Sequence, residues 1–299
     1  MHSSKWMSYL ALTVAMITVG STIVASKLMG GMPVFIAAFV RFAVASPILV
    51  ALVLVTGARL PRLSRRDWAT LCAQAALGSV GYSVLLIAGL SLTQASDASV
   101  IAGTLPAVAA LLALLVLRER VSRWTVLAIA LATLGVGVLS LGGGAANGNT
   151  TARWSGNALV LLAMGCEAVF LLLNKTIKTP IAPLVVAAIM AVLSMVCCAL
   201  PALYQWLHAA TPVLSTSGVS AAVYYAVVPT VLGFYLWYLG AATTTGAEAA
   251  LFTAVYPVAG LLLSAMVLGE TIAPQHWVGV AMTVLGIVVG ARATATMRQ

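Results

Sequence analysis

Long apolar runs separated by short polar connections extend along nearly the whole chain. Each run contains about 20 residues, the length that a helix needs to cross the hydrocarbon core of a bilayer. A helix also satisfies its own backbone hydrogen bonds in a medium without water. The predicted spans are 8–28, 34–56, 68–90, 96–117, 123–141, 156–174, 183–207, 218–239, 246–268 and 275–292. The pattern therefore predicts an all-α polytopic membrane protein with ten transmembrane helices.

The composition supports the same class. The 299 residues are 62% hydrophobic and 7% charged, whereas soluble domains average about 45–50% and about 25%. A water-soluble fold is thereby excluded. The first run resembles a secretory signal peptide, but it is longer than the usual apolar region of about 7–15 residues. We therefore keep it as the first span.

The basic residues predict the orientation of the spans, because short cytoplasmic connections are enriched in Lys and Arg. With the N-terminus inside, twelve of the fifteen Lys and Arg residues fall on the inner side: Lys5, Arg59, Arg62, Arg65, Arg66, Arg118, Arg120, Arg123, Lys175, Lys178, Arg292 and Arg298. Lys27 and Arg153 fall outside, and Arg41 lies within a span. Both termini are therefore predicted to be cytoplasmic. Since the net charge of +9 serves this orientation, no nucleic-acid partner is expected.

The two halves of the chain share residues at a constant offset of 151 positions. The matched pairs are Gly89 with Gly240, Asp97 with Glu248, Pro106 with Pro257, Glu119 with Glu270 and Gly135 with Gly286. Each half has five predicted spans, and because five is odd, the second half enters the membrane from the opposite side. We therefore predict a first repeat over residues 1–141, a glycine- and asparagine-rich linker over 142–155, and an inverted second repeat over 156–299.

Several of these features together carry a family resemblance. They are the paired five-span halves, Arg41 in the second span, Leu105-Pro106 matched by Tyr256-Pro257, and the acids Glu119 and Glu270 before the last span of each half. The chain resembles the drug/metabolite transporter superfamily, EamA branch, and within it bacterial aromatic amino-acid exporters. The resemblance implies ten helices around a central cavity, alternating access, and a bacterial inner membrane. The position that matches Arg41 is Ala191, so an asymmetric role for Arg41 is open.

Ionisable groups inside predicted spans are functional candidates, because each costs about 2.5–3.5 kcal/mol to insert. Glu167 lies deep in span six, where it either binds an amine or carries a proton, or forms a structural pair. Lys27 and Lys175 end spans one and six; they either contact a substrate carboxylate or extend to the membrane interface. Arg41 either forms a structural ion pair or contacts substrate.

The remaining acids fit structural roles at the ends of spans. Asp97 and Glu248 begin spans four and nine, where a carboxylate caps exposed backbone N–H groups and complements the helix dipole. Glu119 and Glu270 lie at span ends, where they are expected to be interface or loop residues.

Prolines and aromatic residues suggest where a cavity forms. Pro106 and Pro257 lie in the middle of spans four and nine, where each removes a backbone hydrogen bond and kinks its helix; the kink either serves gating or only packing. Aromatic side chains and hydroxyls suit a small amphipathic solute. The candidate cavity residues are Tyr82, Glu167, Phe170, Trp237, Tyr256, Lys27 and Arg41.

The predicted function is export of amino acids, aromatic or neutral, and of related small metabolites. The partners expected are a small-molecule substrate and the lipid bilayer, and the carrier is expected to be a monomer. The alternatives are a multidrug or quaternary-ammonium exporter that uses Glu167 and aromatic rings, and a membrane enzyme or lipid scramblase. No catalytic constellation, metal-ligand spacing or cofactor motif is found, so no catalytic residue, metal or cofactor is predicted.

Overall fold

A computed structural model describes residues 2–117, 123–142, 150–174, 176–177, 179–209, 214–241, 244 and 252–296, and every regular element in these ranges is helical. The helices of the first half are α1 (His2–Leu28), α2 (Val34–Thr56), α3 (Arg65–Ala73), α4 (Tyr82–Leu92), α5 (Ala95–Ala102), α6 (Leu105–Leu117) and α7 (Arg123–Gly142). Those of the second half are α8 (Thr150–Asn174), α9 (Pro183–Leu207), α10 (Thr216–Tyr225), α11 (Gly233–Ala241), α12 (Val255–Leu268) and α13 (Pro274–Thr296). Two π-helical segments, Gln74–Gly81 and Ala226–Leu232, join α3 to α4 and α10 to α11.

The helices have the length and composition of membrane spans. Within the described residues, six continuous helical stretches are long and apolar enough to cross a bilayer: Trp6–Leu28, Val34–Thr56, Arg65–Leu92, Thr150–Leu173, Pro183–Leu207 and Thr216–Trp237. Val255–Leu268 and Pro274–Val289 are shorter apolar helices. Large apolar side chains such as Leu54 and Val55 are 74% and 85% exposed, which a bilayer tolerates because lipid tails surround them. The predicted all-α multi-pass membrane class is confirmed.

α8 begins before the apolar run that predicted it. Span six was predicted over 156–174, and the helix begins at Thr150, within the residues predicted as linker. The first turns of α8 form because Arg153 and Asn157 bond to α5 and to the residues before it. Tertiary contacts thus extend the helix beyond the apolar run that predicted it. Residues 143–149 of the linker lie outside the described ranges.

Two helices are interrupted just before prolines. Span four divides into α5 and α6 at the Gly103-Thr104 turn, and Pro106 is the second residue of α6. Likewise α12 begins just after a turn, and Pro257 is its third residue. Proline fits the first turn of a helix because the N–H groups there have no intrahelical acceptor. Each proline therefore restarts a helix after a break.

The closest helix pairs join one half of the chain to the other: α2 packs against α9, α4 against α8, α7 against α13, and α1 against α11 and α12. Small residues permit this approach. Where α4 meets α8, a Cβ added to Gly89 would lie 2.9 Å from the carbonyl oxygen of Gly156. A Cβ added to Gly156 would lie 2.9 Å from the carbonyl oxygen of Gly89. Backbone contact at small residues is the usual way in which membrane helices pack tightly.

We predict that Gly156→Ala lowers thermal stability, because its new methyl group would also lie 2.9 Å from the backbone nitrogen of Thr93. Overpacking of this kind costs about 1–3 kcal/mol, and the melting temperature in detergent should fall by several degrees. Gly165→Ala is the matched control, since a Cβ on this residue of the same helix meets nothing within 4 Å. Equal melting temperatures for the two variants would contradict the predicted packing.

Candidate functional site

Arg41 lies in the middle of α2 and is only 8% exposed. Its Nη1 donates to Ser83 Oγ over 2.7 Å and its Nε donates to Thr230 Oγ1 over 3.3 Å. The ring of Tyr225 lies 3.7 Å from the guanidinium carbon, so a cation–π contact adds to these bonds. No carboxylate of the described residues forms a salt bridge with Arg41. The structural ion pair considered for Arg41 is therefore not formed within the described chain.

The hydroxyl partners of Arg41 lie next to one π-helical segment and within the other. Ser83 follows the π-helical segment Gln74–Gly81, and Thr230 lies within the segment Ala226–Leu232. Pro229 of the second segment supplies no backbone N–H, and the Thr230 hydroxyl donates to the carbonyl of Tyr225 five residues back, over 2.9 Å. Short π-helical stretches occur often at functional sites. Arg41 thus connects two such segments, one from each half of the chain.

Two phenols meet within electrostatic range of Tyr225, whose ring contacts Arg41. The hydroxyl oxygens of Tyr82 on α4 and Tyr256 on α12 are 3.3 Å apart, and both side chains are buried. Trp237 is partly buried against the same apolar cluster. The Thr22 hydroxyl lies near Tyr256 but completes no hydrogen bond. Three of the predicted cavity residues, Tyr82, Tyr256 and Trp237, are therefore brought together.

Glu167 on α8 faces the same group of side chains. It is partly buried and lies within electrostatic range of Arg41, Tyr82 and Tyr256. Within the described residues its carboxylate has neither a salt bridge nor a hydrogen bond. The structural pair considered for Glu167 is therefore not formed there either.

These side chains form one group, which we call the central polar cluster: Arg41, Ser83, Tyr82, Glu167, Tyr225, Thr230 and Tyr256. The cluster draws on both halves of the chain and combines a cation, an anion and several hydroxyl groups. A buried charge without an ionic partner is costly. The cluster therefore has spare capacity for a ligand that carries charge of both signs.

Phe170 packs elsewhere among the described residues. Its carbonyl accepts a hydrogen bond from Gln74 Nε2 over 3.1 Å, and its side chain presses on Gly78, where an added Cβ would lie 2.6 Å away. Its other apolar neighbours include Leu71 and Met190. Phe170 thus supports the first π-helical segment, and its predicted contact with substrate stays a prediction.

A second group of charged side chains lies where α5, α8 and α13 begin. Asp97 is completely buried, and Arg153 binds it with two nitrogens, Nε at 2.6 Å and Nη2 at 3.1 Å. His276 Nε2 lies 3.0 Å from Asp97 Oδ1. Because His276 Nδ1 accepts a hydrogen bond from the Ala273 N–H over 3.0 Å, Nε2 carries the ring proton and donates a hydrogen bond to Asp97. The carboxylate therefore ties together three helix ends.

Glu270 and Lys27 complete this group by capping helices. The Glu270 carboxylate accepts from the N–H groups of Ala95 and Ser96, over 2.9 and 2.8 Å, and so caps the start of α5. Lys27 Nζ donates to the carbonyls of Leu90 and Thr93 over 2.7 and 2.5 Å, at the end of α4. We call Lys27, Asp97, Arg153, Glu270 and His276 the terminal charged cluster.

These contacts correct one expectation and add to two others. Asp97 was expected to cap its own helix, but its carboxylate binds Arg153 and His276 while Glu270 does the capping. Glu270 lies in the connection between α12 and α13, as expected of a loop residue, and its capping of α5 is an additional structural role. Lys27 is bound by the carbonyls of Leu90 and Thr93, and its predicted contact with substrate stays a prediction.

Some candidates lie outside the described residues, and the predictions made for them stay predictions: Glu119, Lys175 and Glu248. Other residues of the two clusters were not singled out from the sequence: Ser83, Arg153, Tyr225, Thr230 and His276. For Arg153 and His276 a signal existed, because both were predicted to lie at the same side of the membrane as Asp97. The hydroxyl partners of Arg41 carry no such signal.

A chain of apolar membrane spans with a buried charged cluster between its halves belongs to the class of membrane transport proteins. The EamA-like transporter family matches the chain twice, over residues 5–141 and 154–291. The chain therefore belongs to the EamA-like transporter family, as its resemblance predicted, and is a transporter rather than an enzyme. Membership in this family implies a small-molecule substrate and a position in a membrane.

Named relatives support the assignment. The uncharacterized transporter YetK of Bacillus subtilis (strain 168) is 31% identical over 283 residues, which cover 94% of this chain and 86% of YetK. A "probable terminal-alkyne amino-acid exporter" of Streptantibioticus cattleyicolor is 29% identical over 261 residues, 87% of this chain and 84% of that protein. A crystal structure with 19% identity shares the fold with a TM-score of 0.66, over 98% of this chain and 99% of the other.

We predict that Asp97→Ala destabilises the protein, because it leaves Arg153 and His276 without their shared anion. Removing one partner of a buried ion pair costs about 3–5 kcal/mol. The double variant Asp97→Ala/Arg153→Ala should lose less stability than the two single variants together, because the bond between these side chains can be lost only once. Thermal unfolding in detergent measures both. Strictly additive losses would contradict a direct interaction between the two side chains.

Proposed function

We propose that this transporter exports amino acids, aromatic or neutral, and related small metabolites across a bacterial inner membrane by alternating access. The observation that carries the proposal is the central polar cluster. It sets the Arg41 guanidinium and the Glu167 carboxylate, neither with an ionic partner in the described chain, beside the phenols of Tyr82 and Tyr256. An α-amino acid has the complementary groups.

Each group of such a solute has a counterpart in the cluster. Its carboxylate fits the guanidinium of Arg41, because charge-assisted hydrogen bonds to Arg are strong and directional. Its ammonium fits Glu167, which makes no hydrogen bond within the described residues. An aromatic or apolar side chain fits Tyr82, Tyr256 and Trp237, which are packed in one apolar cluster. The relative named as an amino-acid exporter supports this substrate class.

We further propose that ten helices form two inverted repeats of five, with both termini in the cytoplasm. The family matches each half separately. The π-helical segments begin at Gln74 and Ala226, and the helix breaks precede Pro106 and Pro257. Irregular structure therefore recurs at an offset of about 151 residues, which supports an internal repeat. The terminal charged cluster also supports the topology, because its members lie at helix ends or in a connection that are all predicted to face outside.

The terminal charged cluster is proposed to be the closed outer end of the transport path. Asp97 on α5 is held by Arg153 on α8 and by His276 on α13, so opening this end separates the two halves at these bonds. The helix breaks before Pro106 and Pro257 supply places where α6 and α12 can tilt. Rocking of one repeat against the other around a central site is the usual motion of carriers with inverted repeats.

A quaternary-ammonium or multidrug exporter is the second candidate. It is favoured by a single observation, the Glu167 carboxylate beside the phenol rings of Tyr82 and Tyr256. A lone cation would bind there by charge and by cation–π contact. It would also be repelled by Arg41, which is why a zwitterion fits the cluster better.

Counterflow into proteoliposomes that contain the purified protein tests the proposal. The labelled solutes are phenylalanine, tryptophan, threonine and a quaternary ammonium ion, and protein-free liposomes are the control. Saturable amino-acid exchange is the expected result. Exchange of the ammonium ion alone would establish the second candidate, whereas no flux of any solute would reject both and leave a lipid scramblase or a membrane enzyme to be tested.

We predict that Glu167→Gln and Arg41→Gln affect opposite ends of the solute. Loss of a hydrogen bond between charged groups costs about 1.5–3 kcal/mol, so each variant should raise the half-saturation concentration for phenylalanine at least tenfold. 3-Phenylpropionate is a competitor that lacks the ammonium group, so Glu167→Gln should leave its inhibition constant unchanged. Phenethylamine lacks the carboxylate, so Arg41→Gln should leave its inhibition constant unchanged. Counterflow inhibition measures each constant, with Cys197→Ser on the exposed face of α9 as the control.

If both variants weakened the binding of all three solutes equally, Arg41 and Glu167 would not bind the two ends of an amino acid separately. The mode of binding proposed here would then be wrong, even if amino acids were transported.

We predict that Asp97→Asn opens the end of the transporter that the terminal charged cluster closes. Cys166 adjoins Glu167 and is partly buried, so its reaction with a charged, water-soluble thiol reagent added outside reports access to the centre. In a protein with Cys72, Cys197 and Cys198 replaced by Ser, Asp97→Asn should speed this reaction about tenfold, because a bias of 1.4 kcal/mol is one factor of ten.

Ser91→Ala is the matched control for that experiment. Ser91 lies near the same end, and its hydroxyl bonds only to the carbonyl of Ala88 within its own helix. An equal rate for Asp97→Asn and the parent protein would contradict a closing role for the ion pair.

A further inference from the structure

Four exposed arginines lie in the connection between α2 and α3 and the first turn of α3: Arg59, Arg62, Arg65 and Arg66. None of the four makes a salt bridge or a hydrogen bond within the described chain. The neighbouring acid, Asp67, is buried and accepts hydrogen bonds from the hydroxyls of Ser64 and Thr179, over 2.9 and 2.6 Å. Its charge therefore faces the protein, and the arginines present a positive surface that the described chain does not neutralise.

An apolar groove of about 250 Å³ lies directly beside this positive surface. Its lining includes Val50 and Leu54 of α2, Leu60 of the connection, Trp68 of α3, and Ile189 and Val192 of α9. Val50, Leu54, Leu60 and Trp68 are exposed, so the groove opens outward between the apolar spans α2 and α9. In a bilayer such a surface faces hydrocarbon, and no polar group in the groove would hold water.

The groove and the arginines are joined in sequence and in space. Leu60 lies between Arg59 and Arg62, and Trp68 is three residues after Arg65, which places Arg65 and Trp68 on the same face of α3. Val50 and Leu54 belong to the last two turns of α2, while the α9 residues belong to its first three turns. The groove therefore runs from this end of the spans, where the arginines lie, toward the interior of the bilayer.

We propose that the groove and the four arginines form a binding site for an anionic glycerophospholipid. One acyl chain lies in the groove, and the phosphate group lies against Arg59, Arg62, Arg65 and Arg66. Guanidinium groups bind phosphate oxygens in pairs, and basic clusters at the end of a membrane span attract anionic lipids. Trp68 is then at the boundary between headgroup and acyl chain, where tryptophan is enriched. The proposed lipid site does not depend on which solute the transporter carries.

Orientation of the chain during insertion explains a basic connection on its own, but it requires no adjoining groove. A phosphate ion fits the arginines but not the groove, and a neutral lipid fits the groove but gains nothing from the arginines. The combination selects a lipid with a net negative headgroup.

Native mass spectrometry of the purified, delipidated protein tests the site, using phosphatidylglycerol and phosphatidylcholine with identical acyl chains. Phosphatidylglycerol should bind at least tenfold more tightly. Arg62→Gln/Arg65→Gln should weaken its binding about twenty-five-fold, since each basic residue contributes about a factor of five, and should leave the affinity for phosphatidylcholine unchanged. Arg118→Gln/Arg120→Gln is the control for charge, because both residues are predicted to lie on the same side of the membrane.

Val50→Trp should weaken both lipids by filling the groove, whereas Val55→Trp, at an 85% exposed position of the same helix, should not. Glycerol phosphate in excess should not displace phosphatidylglycerol if the acyl chain contributes. Equal affinity for the two lipids, equal effects of the two arginine pairs, or unchanged binding in Val50→Trp would each overturn the proposal. None of these measurements depends on solute flux, so they are independent of the transport assays.

Discussion

Inside a bilayer no water is present to satisfy a polar group, and the buried guanidinium of Arg41 is where this constraint is most severe. Its partners are the hydroxyls of Ser83 and Thr230 and the ring of Tyr225, which belong to helices that pack near α2 and come from both halves of the chain. Because a cation without partners in hydrocarbon is so costly, these contacts constrain both π-helical segments. Arg41 thus links the two regions of irregular helix across the halves of the chain, and the ring of Tyr225 packs against it.

The two charged clusters meet the same constraint in different ways. In the terminal charged cluster Asp97 has a bidentate arginine and a histidine, and Glu270 and Lys27 bind backbone groups at helix ends. That cluster is satisfied within the protein and stabilises one arrangement of the halves. In the central polar cluster Arg41 and Glu167 form no salt bridge with any described residue. The terminal charged cluster is therefore suited to holding one conformation, and the central polar cluster is suited to binding a solute.

Apolar run length predicted the all-helical membrane class, and α2 and α9 have the bounds expected from sequence. The prolines were expected to kink spans four and nine, and the structure has a turn just before each of them. Tyr82 and Tyr256 were both candidates from sequence, but nothing in the sequence indicated that they contact each other. The partners of Asp97 were not, because Arg153 and His276 lie 56 and 179 residues away, and an acid in the first turn of a helix fits dipole stabilisation equally well. The first residues of α8 are largely polar, so no apolar run predicts that the helix begins there.

Why the two central charges stay apart follows from what a carrier must do. A direct bond between Arg41 and Glu167 would satisfy both groups, and a solute would have to break it before binding, at a cost near that of the pair itself. Holding Arg41 on neutral hydroxyls and a ring keeps it in place without neutralising it. On the proposed function, the amino acid's own carboxylate and ammonium complete the charge balance. Release then restores an uncompensated site, which keeps binding weak enough for transport to proceed.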